Sequence, residues 1–267
     1  MNFTVIPKKR FSQNFLVNKN LVLKLARHII SRSNDTILEI GPGTGALTVA
    51  LLQGNKRVIG VEIDMEAVEY LDASLKTYSG FKLISGNFLD YDIKSCLRYG
   101  NKLSVAGNLP YGLTGPIIMH LIKNFIYIKN AFIMVQKEVG KRINAEADSS
   151  NFSFLSAAIQ SCCRIKPVMN VKAGSFRPIP QVDSMFLQLD FFPNPKLKTG
   201  EIKEYLCFLT AAFSHRRKFV IKNLAVMYDL DKLTRAFNCQ KIRLNARAQE
   251  IESLEYLNLF RILTYEI

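Results

Sequence analysis

Hydrophobic residues in the first two-thirds of the chain follow two alternating spacings. In residues 19–31, Leu21, Leu25 and Ile29 lie on one stripe, as in an amphipathic helix. The β-branched run at 36–41 ends in glycine and predicts a buried strand. The same pattern continues with strands at 57–64, 81–88 and 103–110, helices at 46–53, 65–76 and 114–124, and a strand-to-helix stretch at 130–143. Such alternation is typical of a parallel, doubly wound α/β sheet.

The pattern changes after Phe192. Residues 191–200 contain two prolines, a glycine and two lysines, which predicts a linker. Beyond it the apolar spacing is helical throughout, in three stretches at 201–227, 230–237 and 252–263. We therefore expect a large α/β domain over residues 1–192 and a small all-helical domain over 197–267.

Charge points to a polyanionic partner. The chain has 267 residues and a formal net charge of +14, and the first acidic residue, Asp35, is preceded by seven lysines and arginines. Such a surplus favours nucleic acid binding. A basic composition without a specific partner is the alternative. A cleaved transit peptide is disfavoured because a motif beginning at Gln13 would be lost with it.

Composition also argues against several classes of protein. No stretch approaches 18 uninterrupted apolar residues, so we expect no membrane span. The five cysteines form no CxxC pair and the three histidines are isolated, which disfavours a disulfide framework and a zinc site. We therefore expect a cytoplasmic protein without a bound metal.

Three glycines separate the strand at 36–41 from the next helix. Gly41, Gly43 and Gly45 have GxGxG spacing, which lets backbone N–H groups approach a ligand. Glu62 ends the following strand, where a carboxylate can accept hydrogen bonds from both hydroxyls of a ribose. A plain tight turn and a surface glutamate are the alternatives. Together the two features favour a nucleoside-containing cofactor.

The glycine spacing also distinguishes between cofactors. NAD enzymes usually carry GxGxxG, which cradles a pyrophosphate. S-adenosylmethionine has an amino-acid tail instead, and a GxGxG loop offers backbone groups for its carboxylate and ammonium. At the end of the strand at 81–88, the sequence SGNF (85–88) places Asn87 where it can bond the adenine edge and Phe88 where it can lie beside the ring. We therefore expect S-adenosylmethionine.

The sequence NLPY follows the strand that starts at Leu103, at the sheet edge where the glycine loop should also lie. Adenine's exocyclic amine is a poor nucleophile, so its methylation requires acceptors that hold the N–H protons and orient the nitrogen. Asn108 offers a side-chain carbonyl, and Leu109 a backbone carbonyl that Pro110 orients. Tyr111 offers an aromatic face for the base. An ordinary β-turn is the alternative; beside a methyltransferase-like half-sheet, a catalytic turn is favoured.

These motifs together resemble the ribosomal RNA adenine N6-dimethyltransferase family, over nearly the whole chain. The segments that carry the resemblance are KKRFSQNFL (8–16), EIGPGTGALT (39–48), VEID (61–64), GNLPY (107–111), VQKEVGKRI (135–143), SFRPIPQVDS (175–184), AFSHRRKFVIKNL (212–224) and ARAQEI (246–251). The resemblance implies a Rossmann-like S-adenosylmethionine-dependent methyltransferase with a mostly parallel, doubly wound sheet and a small all-helical C-terminal domain.

The resemblance also implies roles for single residues. Phe176 would flank the target base, and the cofactor contacts would be Asn14, Leu16, Gly41, Gly43, Glu62, Asn87 and Asn108. By residue type alone, Asn14 reads equally as a helix cap and Phe176 as a core anchor. Asn87 stands where the family commonly has Asp, which weakens the expected grip on adenine, and Ser12 stands where Gly is frequent.

The activity implied is transfer of two methyl groups to each of two adjacent adenines near the 3′ end of 16S rRNA, in the 30S particle, by a monomer with a role in ribosome biogenesis. Two basic clusters are expected to contact RNA: Arg216, Arg217, Lys218 and Lys222 on a helix face, and Lys137, Lys141 and Arg142 near the site. Solvated faces are the alternative for both. Competing functions are a resistance-type 23S rRNA methyltransferase, a non-catalytic nucleic-acid-binding factor and an NAD-dependent oxidoreductase.

Overall fold

The computed structural model describes residues 5–8, 13–99, 102–193 and 196–265. The predicted position Ser12 lies outside these ranges. The chain forms two compact units, one from residues 1–140 and 166–193 and the other from residues 141–165 and 194–267. Residues 141–165 thus group with the C-terminal helices, whereas the domain boundary at 192–197 remains a sequence-based prediction.

The first unit is built on a seven-stranded sheet. The strands of the structure are β1 (Phe15–Leu16), β2 (Thr36–Ile40), β3 (Arg57–Glu62), β4 (Phe81–Ser85), β5 (Leu103–Asn108), β6 (Ile128–Gln136), β7 (Cys163–Val171), β8 (Phe176–Arg177) and β9 (Ser184–Phe191). Their order in the large sheet is β4-β3-β2-β5-β6-β9-β7, and β1 pairs separately with β8. Strands β2 to β6 pair in parallel, and β9 runs antiparallel to β6. The predicted mostly parallel, doubly wound sheet is confirmed.

The described residues form ten α-helices, of which the first five follow the predicted segments closely and the sixth was not predicted. They are α1 (Lys19–Ile30), α2 (Ala46–Gln53), α3 (Met65–Leu75), α4 (Thr114–Lys123), α5 (Lys137–Ile143), α6 (Phe154–Gln160), α7 (Ile202–Ala212), α8 (Val220–Leu224), α9 (Leu230–Cys239) and α10 (Ser253–Tyr265). Helix α1 buries Val22, Leu25 and Ile29, and the side chain of Asn18 caps its first turn by accepting from the N–H of Leu21. Asn14 is therefore not the cap of this helix.

The second unit holds its helices together through aromatic packing. The ring of Tyr205 lies 5.3 Å from that of Phe260, and Phe208 lies 5.7 Å from Phe260. The Tyr205 hydroxyl is fully buried and shares a 2.7 Å hydrogen bond with Ser161. These contacts join residues of the 141–165 segment to the C-terminal helices.

The prediction of helix over 201–227 is wrong in its middle. Helix α7 ends at Ala212 and α8 begins at Val220. The buried amide of Asn223 donates to the carbonyls of Ala212 and His215, at 2.8 and 3.1 Å. In a continuous helix the Ala212 carbonyl would accept from the N–H of Arg216, so the Asn223 side chain replaces that bond and the chain turns.

No helix in the described part of the chain is long and apolar enough to cross a bilayer. Within the same residues, His, Cys, Asp and Glu form no group of three that could bind a metal ion.

Candidate active site

A cleft opens at the carboxyl ends of β2 to β5, where the predicted motifs meet. Its walls come from five places in the chain: residues 13–15, the glycine loop after β2, the end of β3, the end of β4, and the turn after β5 with the start of the next helix. This arrangement follows from parallel strand order, which brings segments distant in sequence to one edge of the sheet. Of the predicted site residues, Asn14, Gly41, Gly43, Glu62, Asn87, Asn108, Leu109 and Pro110 line it.

The glycine loop is shaped by backbone that favours glycine. Gly41 and Gly43 have φ of +59° and +57°, in the left-handed region. A Cβ on Gly43 would lie 2.8 Å from the ring of Phe15, so the loop passes close beneath that ring. Both glycines are therefore required by conformation or by space.

Glu62 is buried and bonded to backbone at both oxygens. One oxygen accepts from the N–H of Gly43 and the other from the N–H of Asp64, each at 2.9 Å. Burial raises the pKa of Glu62, and these backbone hydrogen bonds partly oppose that effect. Each carboxylate oxygen has two lone pairs, so both can accept a further hydrogen bond from a ribose diol.

Asp64, two residues farther on, ties the N-terminal segment to this wall. Its carboxylate accepts from Lys8 Nζ at 2.6 Å and from Gln13 Nε2 at 2.9 Å. Gln13 also accepts from the backbone N–H of Lys8. Burial alone would raise the pKa of Asp64, but the hydrogen bonds from Lys8 and Gln13 outweigh it and lower the pKa. Sequence reasoning gave no role to Asp64, although it ends the VEID motif; in the structure it caps the first turn of α3.

The residues of this wall fit S-adenosylmethionine. Glu62 can accept from the ribose, and the apolar side chains of Ile63, Phe88 and Leu89 line the part of the cleft beside it, as an adenine ring requires. Asn87 lines the cleft as predicted, but its amide already bonds the N–H of Leu89 and the Asp90 carboxylate. These two local hydrogen bonds fix the orientation of the Asn87 amide.

Asn108 is placed by the N-terminal segment. Its side-chain N–H donates to the carbonyl of Asn14 at 2.7 Å, a contact between residues 94 positions apart. Its Oδ1 is buried and has no hydrogen-bond partner among the described residues. Buried carbonyl oxygens are normally bonded, so this unpaired acceptor makes Asn108 a candidate for bonding an N–H of a ligand.

The turn after Asn108 is anchored at both ends. The N–H of Leu109 donates to the Met134 carbonyl of β6 at 3.0 Å. The Tyr111 hydroxyl lies 2.6 Å from Ser184 Oγ at the start of β9. Burial raises the pKa of Tyr111, and the hydrogen bond with Ser184 partly opposes it. Tyr111 is half-buried and is not among the residues that line the cleft, so its expected contact with the base stays a prediction.

Leu16 and Phe176 are not brought to the cleft. They face each other across the β1–β8 pair, and both belong to the hydrophobic core of the first unit. Phe176 is fully buried, and the walls of the cleft do not include it. The structure therefore places Phe176 as a core residue, and the expected role beside the target base stays a prediction.

Glu39 was not predicted, although it lies within the glycine motif. It is fully enclosed on β2, and burial raises its pKa to about 7. Its Oε2 has no hydrogen-bond partner among the described residues. A smaller cavity beside the cleft is lined by Glu39, Gly107 and Asn108 among others.

The first predicted basic cluster lies on a turn and a short helix, which corrects the expected helix face. Arg216, Arg217 and Lys218 occupy the turn before α8, and Lys222 lies within α8; all four are exposed. Arg216 donates to the carbonyls of Ser150 and Phe152, each at 3.0 Å, so its guanidinium is already used within the unit.

The second predicted basic cluster is helical as expected. Helix α5 carries Lys137, Lys141 and Arg142, and the last two are exposed. The RNA contact of these three residues stays a prediction.

Comparisons with known proteins agree with this geometry. The family model described as ribosomal RNA adenine dimethylase matches residues 6–265. Similar relatives include the ribosomal RNA small subunit methyltransferase A of Mycoplasma mobile, 35% identical over 97% of this chain and 98% of the relative. The protein of that name from Fusobacterium nucleatum is 36% identical over 96% of this chain and 97% of the relative.

Solved structures show the same fold. A dimethyladenosine transferase from Plasmodium falciparum is similar with a TM-score of 0.77 and 25% identity, covering 92% of this chain and 95% of that one. The 23S rRNA methyltransferase ErmE is similar with a TM-score of 0.71 and 22% identity, covering 94% and 99%. The predicted fold, enzyme class and cofactor are confirmed: the chain belongs to the ribosomal RNA adenine dimethylase family of S-adenosylmethionine-dependent methyltransferases.

Proposed function

We propose that this chain dimethylates the N6 nitrogens of two adjacent adenines near the 3′ end of 16S rRNA, in the 30S particle. The observation that carries the proposal is the buried Oδ1 of Asn108, which lacks a protein partner at the cleft. The names of the relatives support the small-subunit substrate. The likeness to ErmE shows the fold alone and does not favour the large subunit.

S-adenosylmethionine supplies the sulfonium methyl group, and the chain supplies its position. Gly41, Gly43 and Glu62 would bind the cofactor along the ends of β2 and β3. The N–H of Gly43 already bonds Glu62, so binding requires little reorganisation of the loop. Such preorganisation lowers the entropy cost of bringing the methyl group to the base.

The turn after β5, residues 108–111, would act on the target amine. Asn108 Oδ1 would accept one N–H of adenine N6 and the Leu109 carbonyl the other, which turns the nitrogen lone pair toward the methyl group. The ring of Tyr111, held by Ser184, would stack on the base. The base must leave its helix to reach the cleft, which is the usual strategy of enzymes that act on bases.

The partners follow from charge. Arg217, Lys218 and Lys222 are exposed and suited to phosphate contacts, and Lys137, Lys141 and Arg142 form the second proposed patch. Action on small subunits implies a cytoplasmic location, and we propose that a monomer suffices, without a metal ion.

The test is methylation with radiolabelled S-adenosylmethionine. Unmethylated 30S subunits and protein-free 23S RNA are incubated in parallel, and the modified base is mapped. The proposal expects label only in 16S rRNA, as dimethyladenosine at two neighbouring positions. Label in 23S RNA would instead support the resistance-type activity. Cofactor binding without label in either substrate would support a non-catalytic RNA-binding factor.

A further inference from the structure

The outward face of α1 carries cations and no acid. Lys19, Leu23 and Arg27 recur every fourth residue, and Asn20 and Lys24 form the adjacent row. All five are exposed. On a helical projection they fall within about 140° of arc, and Lys19 to Arg27 span about 12 Å. We call these five residues the α1 face.

The three cations of the α1 face have no partner of their own. Within the described residues, none of Lys19, Lys24 and Arg27 takes part in an ion pair or a side-chain hydrogen bond. The first acidic residue of the chain, Asp35, comes after the helix has ended. Their positive charge is therefore not neutralised within the helix.

Helices α1 and α3 expose side chains of opposite charge. Helix α3 exposes Glu66, Glu69 and Asp72 and contains no lysine or arginine. If the charge of α1 reflected only the basic composition of the chain, α3 would carry lysines as well. The contrast between the two helices therefore indicates that the positive charge is specific to α1.

The α1 face begins close to the cleft. Asn14 and Phe15 line the cleft, and Lys19 follows Asn14 by only five residues, which span at most about 17 Å when extended. The backbone between them is fixed by the bond from the Val17 N–H to the Ser175 carbonyl. The opposite side of α1 is buried in the core through Val22, Leu25 and Ile29, so the helix cannot insert into a membrane by its apolar side.

We propose that the α1 face binds backbone phosphates of the RNA strand that flanks the target adenine, an inference that rests on the proposed RNA substrate. Lys19, Lys24 and Arg27 contact phosphates, and the exposed Leu23 lies against a sugar. The contact depends on charge and not on sequence, so it positions the strand and does not select the base.

The test compares two triple variants with the same loss of charge. One is Lys19→Ala/Lys24→Ala/Arg27→Ala. The control is Lys76→Ala/Lys82→Ala/Lys94→Ala, which removes three exposed lysines: the C-cap of α3, one on β4 and one in the segment that follows β4. Dissociation constants for 30S subunits and for a 16S 3′ fragment are measured from about 50 to 300 mM salt, with cofactor affinity as the check of folding.

The proposal expects the α1 variant to bind RNA at least about tenfold more weakly at 100 mM salt, with a salt slope reduced by about 2 to 3. The control variant should bind like the unmodified protein. Equal losses in both variants, or an unchanged slope in the α1 variant, would overturn the proposal. So would equally tight, α1-dependent binding to anionic vesicles. Because the readout is binding, a protein that failed to methylate 16S rRNA would refute the proposed function and leave this result interpretable.

Discussion

The two walls of the cleft differ in how fully their polar atoms are bonded. On the cofactor side, both oxygens of Glu62 accept backbone hydrogen bonds, and both oxygens of Asp64 are bonded to the N-terminal segment. On the catalytic side, Asn108 donates to Asn14 while its Oδ1 lacks a partner among the described residues. The cofactor wall is bonded within the chain itself, whereas we propose that an incoming donor completes the turn.

An unbonded amide oxygen does not by itself mark a site. Asn130 and Asn223 are also buried and also have an unpartnered Oδ1. Of these three residues, Asn108 lines the cleft. We propose Asn108 for the chemistry because its unpaired acceptor lies at the carboxyl end of β5, where the residue lines the cleft.

Replacing the acceptor should have the largest effect. Asn108→Ala is expected to lower the single-turnover methylation rate by about 100- to 1,000-fold, because an acceptor aimed at the reacting nitrogen is lost. RNA affinity should change by less than about twofold. The matched control is Asn130→Ala, since Asn130 also donates to a backbone carbonyl but lies toward the opposite end of its strand. Equal losses of rate and of RNA binding in Asn108→Ala would remove this residue from the chemistry.

Disturbing the assembled wall should affect binding more than rate. Glu62→Gln places an amide N–H₂ against one of two backbone donors, so we expect the cofactor dissociation constant to rise about 10- to 100-fold by calorimetry. The exposed Glu69→Gln serves as the control and should leave the affinity unchanged. An unaltered affinity in Glu62→Gln would show that the ribose does not bind there.

Glu39 lies on β2 and lines the smaller cavity beside the cleft, and its effect should appear in the stability of the protein. The folded protein keeps a proton on Glu39 up to a pKa of about 7, whereas the unfolded chain releases it near 4.5. The folded state thus binds more protons between these values, and the free energy of unfolding falls as pH rises, by at most about 3 kcal/mol from this group. Urea unfolding from pH 5.5 to 8 should show a weaker pH dependence in Glu39→Gln. Parallel curves for the two proteins would contradict the assignment.

The smallest effect is expected from the anchor of the aromatic ring. Ser184→Ala removes the partner of the Tyr111 hydroxyl and should lower the methylation rate about three- to tenfold. Tyr111→Phe removes the same hydrogen bond, so the double variant should be no worse than either single one. Losses that add fully would mean that the two residues act separately.

Sequence patterns predicted β2 to β6 and α1 to α5 well because each is defined locally, whereas β1 and β7 to β9 were not predicted. The predicted bounds of α2 match the structure at both ends, and the glycine loop, Glu62 and the turn at Asn108 meet at one sheet edge as parallel order requires. The prediction for residues 213–219 was wrong because apolar spacing there suits a helix, whereas the decisive contact is the amide of Asn223 on the Ala212 carbonyl.

The parts of the site that sequence reasoning missed depend on long-range contacts. Ser184 meets Tyr111 across 73 residues, and Lys8 meets Asp64 across 56. Neither contact produces a periodic pattern in the sequence from which it could be predicted. Phe176 is fully buried for a similar reason, since its burial depends on the pairing of β8 with β1.

The most direct test of the account is a crystal structure of the protein with S-adenosylhomocysteine and an RNA fragment that carries the target adenine. The account predicts Asn108 Oδ1 at 2.7–3.2 Å from adenine N6, the usual range for such a hydrogen bond, with the ring of Tyr111 stacked on the base. A target amine that bonds other groups, while Asn108 Oδ1 stays without a donor, would contradict it.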